Sequence, residues 1–164
     1  MDLNLQDSKV QTPLHLAALF GNENAVKQLL CHSVVDANIK DNKGGTPLIA
    51  TIRFSQEAVC KALIESTKVS IIEPNSKTDQ TPLHIAALHS SAARTVKMLL
   101  QRQETLPSVR DRGNRTALQR AYEINNAAVV RVTLESHRVD AILEPWGPGD
   151  DAVSESFRGR LRHY

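Results

Sequence analysis

Gln11–Phe20 reads QTPLHLAALF and Gln80–His89 reads QTPLHIAALH, so eight letters of ten recur 69 residues later. Shorter echoes keep the register. TPL occurs at Thr12, Thr46 and Thr81, and TAL begins at Thr116, at separations of 34, 35 and 35 residues. A fixed period of this size marks a stack of similar units, none of which can bury its faces alone. The second half of each unit recurs as well, as AVKQLL (25–30), VCKALI (59–64), VKMLL (96–100) and VVRVTL (129–134). The third unit carries one extra residue around Ser90–Ala93.

Each unit reads as helix, turn, helix and a long connection. Pro13, Pro47 and Pro82 fall at the first helical position, where a missing N–H is harmless. The threonine before each is placed to cap the free amides of the first turn. The small residues of LAAL and IAAL let neighbouring helices approach closely, and the second helix carries a Leu-Leu or Leu-Ile pair. Connections end in Asp, Asn and Gly, clearest in DNKGG (Asp41–Gly45), which suits tight turns.

These residues carry a resemblance. TPLHLA at Thr12 and TPLHIA at Thr81, in register with the weaker TPLIAT at Thr46 and TALQRA at Thr116, resemble the T-P-L-H-x-A phrase of the ankyrin-repeat family. The resemblance spans roughly Asp2 to Leu143. It implies an all-α solenoid of stacked antiparallel helix pairs, with β-hairpin-like fingers projecting at right angles. The expected repeats are approximately 7–40, 41–75, 76–110 and 111–143, within a domain of 2–143 followed by a tail of 144–164. The resemblance also implies that His15 and His84 are structural, hydrogen-bonding between neighbouring turns.

The two ends read differently. DLNLQD (Asp2–Asp7) matches DANIKD (Asp36–Asp41), so the chain opens inside the tail of a repeat. Leu14, Leu16, Leu29 and Leu30 keep the first repeat apolar, whereas Gln119, Arg120, Arg131 and Thr133 read as the polar outer face of a closing repeat. The expectation is a raw N-terminal end and a capped C-terminal end, as in the C-terminal part of a longer array or multidomain protein. VDAIL (Val139–Leu143) starts another finger, which EPWGPGDD interrupts with prolines and glycines. Val153, Phe157 and Leu161 recur at helical spacing, so the tail reads as a short capping helix or as a disordered segment.

Composition narrows the chemistry. With a net charge of +2 and 4% aromatic residues, the chain lacks the profile of a nucleic-acid binder. No apolar run is long enough to cross a bilayer, and the N-terminus has no signal-peptide pattern. Cys31 and Cys60 are isolated, as free thiols in a reducing compartment are, which predicts an intracellular protein of cytoplasm and/or nucleus. Phosphate loops, zinc helices, nucleophile elbows and paired cysteines are absent from the sequence. The reading is therefore non-catalytic, with no cofactor and no metal. The NRT triplet at Asn114 matches a glycosylation site, but its Thr116 is a helix-capping residue and the match is read as coincidence. One polar group, His89, Tyr122 and Glu123, has the residue types for acid–base work.

The residues seven and eight places after each threonine end the inner helix. They form the columns Leu19, Arg53, Leu88, Glu123 and Phe20, Phe54, His89, Ile124. The fingers contribute Ser8, Lys9, Gln11, then Asn42, Lys43, Gly45, then Lys77, Thr78, Gln80, then Arg112, Gly113, Arg115. The resemblance implies that these columns and fingers line a concave binding face. The candidate partner-binding set is Lys9, Gln11, Leu19, Phe20, Lys43, Arg53, Phe54, Lys77, Leu88, His89, Arg112, Arg115 and Glu123. Apolar anchors beside basic fingers predict a protein or peptide partner with apolar anchors and acidic flanks. Neither nucleic acid nor membrane is expected as a partner, and the chain is expected to be a monomer unless its N-terminal end self-associates. Two rival readings remain open: a small-molecule binder or enzyme on the His89–Tyr122–Glu123 side, and a targeting arm of a larger protein.

Overall fold

The computed structural model describes residues 2–136 and, beyond them, Gly159 alone. Four helix pairs follow one another: α1 (Pro13–Leu19) with α2 (Glu23–Cys31), α3 (Pro47–Arg53) with α4 (Glu57–Glu65), α5 (Pro82–Ala87) with α6 (Ala93–Gln101), and α7 (Ala117–Glu123) with α8 (Ala127–Glu135). Helices of six to nine residues are too short to persist alone, so packing must hold them. The short helices stack as one layer, α1 on α3 on α5 on α7, and the longer ones as another, α2 on α4 on α6 on α8. Leu14, Leu48, Leu63, Leu99 and Leu118 are among the side chains buried between them. Each such burial stabilises by roughly 1.5–3 kcal/mol. The array is the all-α solenoid that the repeat phrases predict.

Caps form where the threonines fall. The hydroxyl oxygens of Thr12, Thr46, Thr81 and Thr116 accept from the backbone N–H of His15, Ile49, His84 and Gln119. Between the paired helices, Gly21, Ser55 and Asn125 adopt positive φ and turn the chain tightly. The third repeat instead inserts a 3-10 turn, Ser90–Ala92, and this accommodates its extra residue.

The fingers contain no strand among the described residues; each is a hairpin-like turn closed by hydrogen bonds. Asp7 N–H donates to the Gln11 carbonyl (3.0 Å), Asp41 to Gly45 (2.8 Å), Asn75 to Gln80 (2.9 Å) and Asp111 to Arg115 (2.9 Å). The side-chain oxygen of that first residue braces the turn from inside, as where Asp41 Oδ1 accepts from the N–H of Lys43 and Gly45. The next-to-last finger residue is left-handed every time: Val10, Gly44, Asp79 and Asn114. Counted from Asn75 to Gln80, the third finger is one residue longer than the others, an insertion that the threonine spacing alone does not locate. Backbone bonds from Asn42 N–H to the Lys9 carbonyl, from Ser76 to Gly44 and from Arg112 to Thr78 tie finger to finger.

The reading of Gln119 and Thr133 as an outward polar face needs correction. Gln119 is 1% exposed and Thr133 3%, and the Thr133 hydroxyl donates to the Val129 carbonyl within α8. A helix absorbs a threonine hydroxyl through its own carbonyls, so a polar letter there does not require a wet face. Arg131 is exposed as expected. At the other end, Leu14 is buried and Leu16 is 36% exposed. The VDAIL finger at 139–143, the end of the expected domain at 143, and the tail of 144–164 with its alternative capping helix lie outside the described residues, Gly159 excepted.

Candidate functional site

The short helices end beside the fingers, and a groove of about 400 Å³ opens between them. Six of the expected residues meet there: Lys9 and Gln11 from the first finger, Leu19 from the end of α1, Lys43 from the second finger, and Arg53 and Phe54 from the end of α3. Ile49 and Ala50 form part of the same lining. The groove therefore lies across the first two repeats. Lys77, Phe20, Leu88, His89, Arg112, Arg115 and Glu123 do not line it.

The two phenylalanine positions are equivalent C-caps, of α1 and α3. Phe20 is 81% exposed and Phe54 57%, so neighbouring repeats do not cover them. Ile124, at the same position in the fourth repeat, is 48% exposed, while Leu88 and His89 in the third are half-buried. The column is thus an exposed apolar one with a polar interruption at His89.

The basic rim is narrower than the sequence suggests. Among the described residues, the charged ends of Lys9, Lys43, Arg53 and Lys77 form no ion pair. The arginines of the fourth finger are engaged. Arg112 Nε meets Asp79 Oδ2 at 3.2 Å, and Arg115 Nε meets Glu123 Oε1 at 2.7 Å. Arg120 joins Glu123 Oε2 at 3.3 Å and Asp111 Oδ2 at 2.8 Å, and Gln80 Nε2 also donates to Asp111. Burial pushes the Asp111 carboxyl up, but the bonds from Arg120 and the Arg115 backbone outweigh it and hold the group below its ordinary value. Asp111 in turn raises the Arg120 guanidinium. Positive charge there is largely answered within the protein.

The same network holds one member of the polar trio, Glu123. Both oxygens of Glu123 are bonded to arginine. The His89 carbonyl accepts from Asn126 Nδ2, which also reaches the Ala87 carbonyl and so fastens α8 to the end of α5. Glu123 is therefore held by its arginine neighbours, an arrangement suited to tying a finger to its helix.

His15 and His84 are scaffold residues, as the resemblance implies. His15 Nδ1 accepts from Thr12 N–H at 3.2 Å, and its Nε2 lies 3.2 Å from the Gly45 carbonyl. His84 does the same with Thr81 N–H at 3.3 Å and the Arg115 carbonyl at 2.9 Å. These partners fix the neutral tautomer with its proton on Nε2. Burial lowers both pKa values, because the charged ring would lose its hydration.

Side-chain bridges absent from the sequence expectation join the outer connections. Asn4 Nδ2 donates to the Val34 carbonyl while its Oδ1 accepts from Asp36 N–H, and Asn38 repeats both bonds with Lys68 and Ser70. Their only sequence signal is a spacing of one repeat. No group of three or more His, Cys, Asp and Glu among the described residues is arranged to hold a metal ion. Nor is any described helix long and apolar enough to cross a membrane.

Comparison with known proteins agrees with this geometry. The family model described as ankyrin repeats (3 copies) matches residues 1–73, and the one described as ankyrin repeat matches 78–112. No curated protein matches the chain. With the phrases, the capped helix pairs and both family matches in one register, the chain belongs to the ankyrin-repeat family, whose repeats are in general protein-interaction modules.

Proposed function

We propose that this chain is a non-catalytic interaction module that binds a protein or peptide through the groove between its fingers and short helices. The observation that carries the reading is the exposure of Phe20 and Phe54, 81% and 57%, at equivalent positions of adjacent repeats. Leaving a phenylalanine in water forgoes roughly 1.5–3 kcal/mol of burial. Two such residues in register beside a groove are what an aromatic anchor site offers.

The charges select the partner. Lys9, Lys43 and Arg53 border the groove with no ion pair to a carboxylate among the described residues, and Lys77 stands on the next finger. A segment carrying apolar anchors and acidic flanks complements them, and the charges act mainly on encounter and selectivity. Binding is weighted to the first two repeats, because Arg112 and Arg115 are already paired. Leu88, His89 and Glu123 extend the surface toward the fourth repeat. The reading places the protein inside the cell, in the cytoplasm and/or nucleus, and as a monomer. Its free thiols support that setting: Cys31 is exposed and unpaired, and burial pushes the Cys60 thiol up to about 11, which keeps it protonated.

Selection from a displayed library of random peptides tests the proposal. Wild type should enrich sequences with two apolar residues and neighbouring Asp or Glu. A Phe20→Asp, Phe54→Asp double variant with an unchanged circular dichroism spectrum should enrich none of them. Enrichment of basic sequences, or equal enrichment by both proteins, contradicts the proposal.

A further inference from the structure

The ladder of side-chain bridges that joins the outer connections lacks its third rung. Asn4 Nδ2 donates to the Val34 carbonyl at 2.8 Å, and its Oδ1 accepts from Asp36 N–H at 2.9 Å. One repeat on, Asn38 does the same with the Lys68 carbonyl at 2.9 Å and Ser70 N–H at 2.7 Å. Each carboxamide thus spans a carbonyl and an amide on either side of one buried residue, Val35 or Val69. The third place in the column is Ile72, which has no polar atom in its side chain. Counted back from the first finger residue, the backbone pair facing it is the Glu104 carbonyl and Leu106 N–H. The turn that presents the pair is unchanged. Thr105 N–H donates to the Arg102 carbonyl at 3.2 Å, as Val35 does to His32 (3.2 Å) and Val69 to Ser66 (3.4 Å). The Glu104 carbonyl and Leu106 N–H make no hydrogen bond among the described residues.

A cleft of about 270 Å³ opens at this place, with Ile71, Ile72, Pro74, Leu106 and Val109 in its walls. The longer third finger adds Asp79 to the lining. Two departures from the repeat, an isoleucine for an asparagine and a finger one residue longer, therefore meet at one cleft. Ile72 is 44% exposed and Leu106 56%, so the walls leave apolar surface in water. We propose that this cleft docks a partner polypeptide through an asparagine or glutamine side chain. The carboxamide takes the missing rung, donating to the Glu104 carbonyl and accepting from Leu106 N–H, while an adjoining apolar side chain covers Ile72 and Leu106. Asn4 and Asn38 show that a backbone pair of this kind is matched by one carboxamide. A carboxylate has no donor for the Glu104 carbonyl, so the acidic segments that suit the groove are excluded here. The cleft shares no lining residue with the groove.

Selection of displayed random peptides on the full chain carrying Phe20→Asp and Phe54→Asp tests this apart from the groove. Enriched sequences should place Asn or Gln beside Ile, Leu or Val. An enriched peptide, titrated by fluorescence anisotropy, should lose at least about tenfold in affinity when its carboxamide residue becomes Leu or Asp. Adding Ile72→Asn, which lets the chain fill the rung itself, should cost the peptide at least about tenfold as well. Should that variant fail to fold by circular dichroism, Leu106→Asp, which places a charge in the cleft wall, gives the decisive reading with the same expected loss. Absence of enrichment would overturn the proposal, as would enriched sequences without a carboxamide, or binding that both Ile72→Asn and Leu106→Asp leave intact. A doubled mass by light scattering that Ile72→Asn abolishes would mean that a second copy of the chain occupies the cleft, and would also overturn it.

Discussion

His84 Nε2 lies 2.9 Å from the carbonyl oxygen of Arg115, and this contact ties the third repeat to the finger of the fourth. His15 reaches Gly45 in the same way at 3.2 Å. The imidazole links three things at once: the cap of its own helix, the fold of its own finger, and the neighbouring repeat.

Removing that link should be costly. His84→Ala strands the Thr81 N–H and the Arg115 carbonyl and opens a cavity, and should destabilise the chain by about 2–3 kcal/mol in urea unfolding. His84→Gln should cost about 1 kcal/mol or less, because glutamine already serves the cap at position 119. Equal losses for the two variants would show that the ring matters through its packing alone.

Acid should weaken the same two links. An imidazole in the unfolded chain titrates near pH 6.5, and burial holds His15 and His84 below that value in the fold. Below about pH 6.5 the unfolded chain therefore binds more protons, and stability falls as pH falls toward the lowered folded values. The limiting slope is about 1.4 kcal/mol per pH unit for each histidine. Urea midpoints from pH 8 to pH 5 should be flat at the upper end and decline at the lower. The double variant His15→Gln, His84→Gln should lose most of that decline. Stability that rises on acidification through this range contradicts the burial of neutral rings.

Much of this scaffold is legible in the letters. Threonine, proline and histidine recur because each performs a local task that one residue type does best, so their spacing reveals the helix starts, the caps and the links between repeats. The extra residue before α6 is also visible. The finger insertion at Asn75–Gln80 is not, because a spacing of 35 between threonines does not say where the added residue sits. The pairing of Arg115 with Glu123, eight residues away, depends on side-chain rotamers that no period encodes. Gln119 misleads for a related reason: a polar letter near a chain end suggests solvent, whereas the position calls for a buried cap.

The carboxylate network should divide sharply by burial. The Asp111 side chain is 1% exposed and accepts from Arg120, Gln80 and its own finger's amides. Asp111→Ala should destabilise by about 2–3 kcal/mol, since it leaves arginine and backbone donors without their acceptor. The Arg112–Asp79 pair is exposed on both sides, and Arg112→Ala should cost under about 0.5 kcal/mol. Chemical denaturation of the two variants side by side checks the contrast.

One finger carries strain that substitution should relieve. Val10 is β-branched and sits at φ 62°, where the equivalent residues are Gly44, Asp79 and Asn114. A branched side chain is disfavoured in that conformation, and asparagine tolerates it. Val10→Asn should raise stability by about 0.5–1 kcal/mol, measured as a higher urea midpoint with an unchanged m-value. A lower midpoint would mean that the contacts of the valine outweigh its backbone strain.

The groove reading meets its most direct test in solution. A peptide selected on the wild-type chain would be titrated into isotopically labelled protein, with backbone amide shifts followed by NMR. The account predicts that the largest shifts cluster at Leu19, Phe20, Lys43, Arg53 and Phe54, and that the peptide loses at least about tenfold in affinity for Phe20→Asp, Phe54→Asp. Shifts confined to the outer connections around Val34, Ile72 and Leu106, with the double variant binding as tightly as wild type, would contradict it.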